Sequence, residues 1–119
     1  MIMKNNGSAM RRKSSKQLSI DKLLKKVYKE ISYERDRVCE GCGSPYQLTH
    51  AHLIRRSWRR DLITDKRNIV YLCTECHDVF DNKPSLRHTL DNYDVWLKYI
   101  KEKDLVYYNK LTTNEDNFK

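Results

Sequence analysis

Two short cysteine pairs limit the folds open to this chain more than any other feature. Cys39-Glu-Gly-Cys42 and Cys73-Thr-Glu-Cys76 are each C-x-x-C, and 30 residues separate Cys42 from Cys73. One such hairpin presents two sulfurs from a single tight turn, and two hairpins complete the tetrahedral thiolate shell that Zn²⁺ prefers. Gly41 and Gly43 are expected to give the first knuckle its backbone freedom. Two disulfides are the competing use of four cysteines, but no export signal accompanies them, and paired C-x-x-C spacing suits a metal better. A thioredoxin-type redox pair would be single and would head a helix in a βαβ unit, which the pattern does not offer. The expectation is one structural Zn²⁺ on Cys39, Cys42, Cys73 and Cys76.

The metal matters because little else holds such a chain together. Only 39% of the 119 residues are hydrophobic and 34% are charged, so the core is small and one domain is expected. In a module of this size the free energy of metal binding becomes folding free energy. No run of 18 apolar residues occurs, and Met1-Ile2-Met3 is too short for a signal sequence. Reduced cysteines and no export signal point to the cytoplasm.

Charge is distributed unevenly. Residues 1–60 hold 15 Lys/Arg against 5 Asp/Glu, whereas residues 61–119 hold 9 against 11, within a total of +8. The basic half is the expected polyanion-facing part, neutralising phosphates and releasing counterions. Residues 1–18, with Arg11, Arg12 and Lys13 and no apolar period, are expected to be a flexible basic arm.

Hydrophobic periodicity places the other elements. Ser19 has the character of an N-cap, and Ile20, Leu23, Leu24, Val27, Tyr28 and Ile31 predict an amphipathic helix over 20–34 with a lysine face. Gly43-Ser44-Pro45 is a turn. Gln47 to Leu53 predicts a short strand, with His50 and His52 on one face by the two-residue period. Residues 54–67 are expected to be a loop rich in arginine, and Asn68 to Leu72 a β-branched strand. A helix from Cys73 to about Asn82 ends before Pro84, and further helices are expected at 89–102 and 105–111. Aromatic residues in those last helices are expected to pack on the zinc module, and 112–119 to be a disordered tail. The fold class is therefore α+β: a domain over 19–111 with its metal core at 39–84, flanked by helices at both ends.

The ordered residues Cys39-x-x-Cys42, His52-Leu-Ile-x-Arg56, Asp65-x-x-Asn68-Ile-Val-x-Leu-Cys73 and Cys76-His77 resemble the HNH endonuclease family, in its four-cysteine zinc subtype. More faintly, Tyr93-x-x-Trp96 resembles the tail of phage-type members. The resemblance implies a ββα-metal fold and metal-dependent hydrolysis of DNA phosphodiesters, in a nuclease or nickase of a phage or mobile element. His52 would be the general base, Asn68 would orient the base or its loop, and His77 on the helix would bind a catalytic Mg²⁺ or Mn²⁺. Imidazole suits the base because its ordinary pKa lies near neutrality. The products implied are a 5′-phosphate and a 3′-hydroxyl. Where the common pattern has a ligating Asp or His before the base, this chain has Ala51; His50, on the same strand face as His52, is the expected substitute ligand. Arg55, Arg56, Arg59 and Arg60 around Trp58 are expected to hold the DNA backbone, which gives affinity without sequence information. His88 is an ordinary surface residue. Two readings of another class stay open at this level: a catalytically silent zinc module that binds nucleic acid, and an assembly factor that presents its aromatic C-terminal helices to a protein partner.

Overall fold

A computed structural model describes residues 15–116. The basic triplet Arg11, Arg12 and Lys13 lies outside the described residues. Helix α1 spans Ser15–Glu34. It is already formed four residues before Ser19, which lies inside it and is not a cap, since nothing from Ser15 to Leu18 breaks a helix and Gln17 donates to Asp21 one turn on, at 2.9 Å. Strand β1 is Leu48–His52 and strand β2 is Ile69–Cys73. Helix α2 follows directly as Thr74–Asn82, then α3 as Tyr93–Lys103 and α4 as Leu105–Asp116. The expected strand, long connection, strand and helix are all present.

The two strands pair antiparallel, with His50 opposite Tyr71, Ala51 opposite Val70 and His52 opposite Ile69. Cross-strand partners share a face, so the pleat sorts the sheet into two sides. Ile69 and Tyr71 pack against Leu24, Val27 and Ile31 of α1. Ala51, Val70 and Leu72 join the larger core with Phe80 of α2, Tyr93, Trp96, Tyr99 and Ile100 of α3, and Leu111 of α4. All five residues of β2 are buried, as expected for a strand covered on both faces. The aromatic residues of α3 pack on the zinc module as expected, Trp96 meeting Phe80 edge-on at 5.9 Å.

Four further boundaries differ from the pattern-based expectation. The connection between the strands is folded into two 3₁₀ turns, Arg60–Leu62 and Lys66–Asn68, so Asn68 closes a turn instead of opening the strand. Pro84 starts a third, Pro84–Thr89, because a proline missing its N–H is tolerated in a first turn. Helix α3 therefore begins at Tyr93, not 89. Helix α4 runs to Asp116, into the stretch expected to be a disordered tail.

A hydrogen-bonded strap joins α1 to the sheet. Arg35 donates to the carbonyls of Ile69 (2.6 Å) and Lys66 (2.7 Å) and pairs with Glu40, whose carboxylate also accepts the Tyr71 amide at 2.8 Å.

Candidate functional site

The two knuckles fold as the cysteine spacing requires. In the first, Gly43 N–H donates to Cys39 O at 2.8 Å and Gly43 sits at φ +83°, a conformation open to glycine. Gly41 serves space more than freedom: a Cβ there would lie 3.1 Å from a Leu90 methyl and 3.3 Å from Cys76 Sγ. In the second, Cys73 caps α2, its Sγ accepting from Cys76 N–H. All four sulfurs lie within 4.8 Å of one another, and Cys42 and Cys73 are 3.8 Å apart. Sulfurs bound at about 2.3 Å around a tetrahedral zinc are about 3.8 Å apart, so the donor set fits Zn²⁺. Burial works against the Cys39 thiolate, but hydrogen bonds from the knuckle backbone outweigh it and bring its pKa to about 7. Burial and the neighbouring sulfurs push Cys76 the other way. Four crowded thiols cannot all ionise without a cation among them, and a bound metal deprotonates its thiols.

His52 ends β1 and lines a cavity of about 250 Å³ with Arg55, Asp81 and Lys110 among its walls. Its Nε2 lies 2.9 Å from the carbonyl of Ile63. A carbonyl only accepts, so Nε2 carries the proton and Nδ1 is left with the lone pair. Burial is the main cause that lowers the His52 pKa below 6.5, with the charges of Arg56 and His77 adding to it against the Ile63 bond. The ring is accordingly neutral at physiological pH, as a proton acceptor must be.

Asn68 is fully buried. Its Oδ1 accepts from Ile54 N–H at 2.7 Å, and its Nδ2 donates to the carbonyls of Ile54 and Leu62, each at 3.1 Å. It thus clamps both ends of the loop that follows His52, one residue from the Ile63 carbonyl that fixes the imidazole. Asp65, three residues earlier, is held by Tyr99 Oη at 2.8 Å, which ties the same turn to α3.

His77, on α2, has a polar neighbour at each nitrogen. Thr49 Oγ1 lies 2.9 Å from its Nδ1 and also 2.7 Å from the Leu72 carbonyl. The single hydroxyl proton goes to the carbonyl, so Nδ1–H donates to Thr49 and Nε2 of a neutral ring keeps its lone pair. That lone pair faces Asp81 Oδ2 across 3.2 Å. Two electron-rich atoms so placed call for a cation or a proton between them. Adjacent ligands about 2.1 Å from one hard cation are about 3 Å apart, so the pair fits a divalent ion. Asp81 was not among the residues singled out from the sequence; its spacing of four from His77 on a helix was the available signal.

The expected substitute ligand does not join this site. His50 stacks on Tyr28 of α1 at 3.8 Å and 10° and is flanked by Tyr71. The stack holds His50 against α1, whereas His52, at the end of the strand, lines the cavity that Asp81 also lines. Burial first, then the charges of Arg37 and His52, lower its pKa. Ala51 is a core methyl, 1% exposed. Among the described residues, the four cysteines form the one group of three or more candidate ligands.

The arginines also divide. Arg55 and Arg56 are exposed beside His52. Arg60 is exposed and meets Gln17 at 3.3 Å. Arg59 is instead an internal strut, bound to Asp61, Asp104 and the Lys103 carbonyl at the junction of α3 and α4.

No described helix is long and apolar enough to cross a membrane. Residues 39–83 match the family model HNH endonuclease. No curated protein and no solved structure gives a significant match.

Proposed function

From the match of residues 39–83 to the HNH endonuclease family model, we propose that this chain is a metal-dependent DNA endonuclease that makes single-strand nicks. The observation that carries this reading is the carbonyl-fixed His52 in one cavity with Asp81, the partner of His77.

His52 Nδ1 takes the proton of the attacking water, while Nε2–H stays on the Ile63 carbonyl so that the ring does not turn. Asn68 is a positioning residue: it holds the loop whose carbonyl orients His52. His77 Nε2 and Asp81 would hold one Mg²⁺ or Mn²⁺. Bound there, the cation would stabilise charge on the scissile phosphate and on the departing oxygen. Arg55 and Arg56 supply the positive charge that holds the flanking backbone, and burial of His52 keeps its proton affinity low enough to stay unprotonated. The four cysteines would hold a structural Zn²⁺, and their clustering joins the first knuckle to the start of α2, which carries His77, near the strand that carries His52. One site per chain makes a nick the default product.

The test is conversion of supercoiled plasmid to open circle with Mg²⁺ or Mn²⁺ added, by the native chain and by His52→Ala. Nicking by the native chain, lost by about 10²–10⁴-fold in the variant at any metal concentration, is expected. Nicking that persists in zinc-replete His52→Ala would overturn the role of His52, and no nicking by the native chain in any metal would overturn the activity.

A further inference from the structure

The cavity beside His52 is not built by the HNH segment alone. Its far wall comes from Tyr107, Lys110 and Leu111 of α4, which lie beyond the matched residues 39–83. Trp58, from the loop after β1, stands opposite that helix, and its ring and that of Tyr107 are 5.5 Å apart at 57°. Both rings are pinned. Trp58 Nε1 donates to Asp104 at 2.9 Å, and Asp104 also accepts the Tyr107 amide at 2.9 Å. Trp58 is nevertheless 41% exposed, whereas the other tryptophan, Trp96, is 3% exposed in the core. A large aromatic left partly open in the wall of a cavity that also carries charged groups is a stacking surface.

Charge and size narrow what stacks there. Arg55 and Lys110 line the cavity, and Asp81 is the carboxylate among its described walls. Arg87 is buried and held by the Phe80 carbonyl at 2.6 Å, and Lys110 lies 5.1 Å over the Trp58 ring. Aromatic faces with cations between them match a nucleotide, whose base stacks while its phosphate pairs. At about 250 Å³ the cavity lies just under the usual range of small-molecule sites, so it has room for about one base and not for a longer segment. A base inside an intact duplex already has both faces covered by its neighbours. It can reach Trp58 only after unstacking, a cost that an unpaired base does not meet.

We propose that the cavity between Trp58 and α4 takes one unpaired nucleotide flanking the scissile phosphate, so that the substrate is DNA with a gap, flap, mismatch or single-stranded end in preference to intact duplex. This rests on the nuclease reading for the scissile phosphate, but the nucleotide site itself stands on Trp58, Tyr107 and the cations. Lys110, lying over the indole, is displaced by the incoming base toward the phosphate that the base carries.

The test uses the full zinc-bound chain without added divalent cation, so that binding is read apart from cleavage. Matched oligonucleotides, one fully paired and one with a single unpaired 2-aminopurine, are titrated while 2-aminopurine and tryptophan emission are followed. Expected are quenching of 2-aminopurine and tighter binding of the unpaired substrate. Trp58→Ala should weaken that binding by about 5- to 150-fold and bring the two substrates to within about twofold of each other. Trp58→Phe keeps a ring and should retain most of the preference, which separates stacking from loss of the Asp104 bond. Thermal melting of each variant with zinc bound verifies the fold. Equal binding of the two substrates by the native chain, or an unaltered preference in folded Trp58→Ala, overturns the inference. A preference for the unpaired substrate without nicking of any DNA in Mg²⁺ or Mn²⁺ upholds the nucleotide site and overturns the nuclease reading instead.

Discussion

Replacing Asn68 by aspartate exchanges one NH₂ for an oxygen and leaves the shape almost unchanged, yet it should destabilise the protein as much as removing the side chain. The native amide makes three buried hydrogen bonds, at 2.7, 3.1 and 3.1 Å, to the two ends of one loop. Asn68→Ala forfeits all three and leaves peptide groups unpaired where water does not reach; at about 1 kcal/mol for each bond, and more for each stranded group, the total is about 3–5 kcal/mol. Asn68→Asp keeps the bond from Ile54 N–H but points an acceptor at two carbonyls, so its cost matches or exceeds that of alanine. Against a total stability of about 5–15 kcal/mol, either change should lower Tm by at least about 10 °C with zinc bound. The aspartate variant adds a pH signature. Its buried carboxyl would have a folded-state pKa raised above the unfolded one, since only the protonated form can donate. Its stability relative to the native chain is therefore best at low pH and is lost as pH rises through the folded pKa. Melting both variants by circular dichroism between pH 5.5 and 8 measures this. An Asn68→Asp protein that melts like the native one at pH 7.5 but does not nick DNA would refute the clamp and place Asn68 in the chemistry itself.

The remaining expectations concern the metal and the charges. Elemental analysis should find one zinc per chain, and any single Cys→Ser at 39, 42, 73 or 76 should abolish cooperative folding, since structural zinc supplies on the order of 10 kcal/mol in small modules. In Arg55→Ala/Arg56→Ala the log–log salt dependence of DNA binding should flatten by about 1.8 if both hold phosphates, whereas Arg59→Ala should lower Tm and leave the slope alone. With His52 as the proposed base, active only when neutral and with its pKa depressed, the nicking rate should rise through an apparent pKa below 6.5 and be level at neutral pH; a midpoint above 6.5 would argue against that role. His50→Ala should melt lower for want of its Tyr28 stack and still nick DNA, without the dependence on excess Mn²⁺ that a lost ligand would produce.

Local chemistry made much of this legible in the sequence. The C-x-x-C pairs specified the sulfur cluster, because ligand spacing within a knuckle is set by a few bonds and one glycine at positive φ. Strand and helix periods placed β1, β2 and α2 nearly to the residue, and with them His52 and His77. The boundaries that moved are those where no side chain forces a stop: nothing from Ser15 to Leu18 ends α1, and Pro84 can begin a turn as readily as follow one.

What the sequence left undecided depended on which groups from distant segments meet. Period two put His50 and His52 on one strand face, but α1 covers one end of that face with Tyr28, so His50 is stacked while His52 is turned to the cavity. Four arginines in six residues look alike as charges; Asp104, some 45 residues away, makes a strut of Arg59. The tautomer of His77 follows from a Leu72 carbonyl that claims the Thr49 proton, and Asp81 acquires its meaning only from the lone pair that results. Ligand spacing and periodicity act over a few residues and are written in the chain. Proton placement, ion pairing and the wall that α4 adds beside Trp58 are set by contacts between segments that only folding brings together.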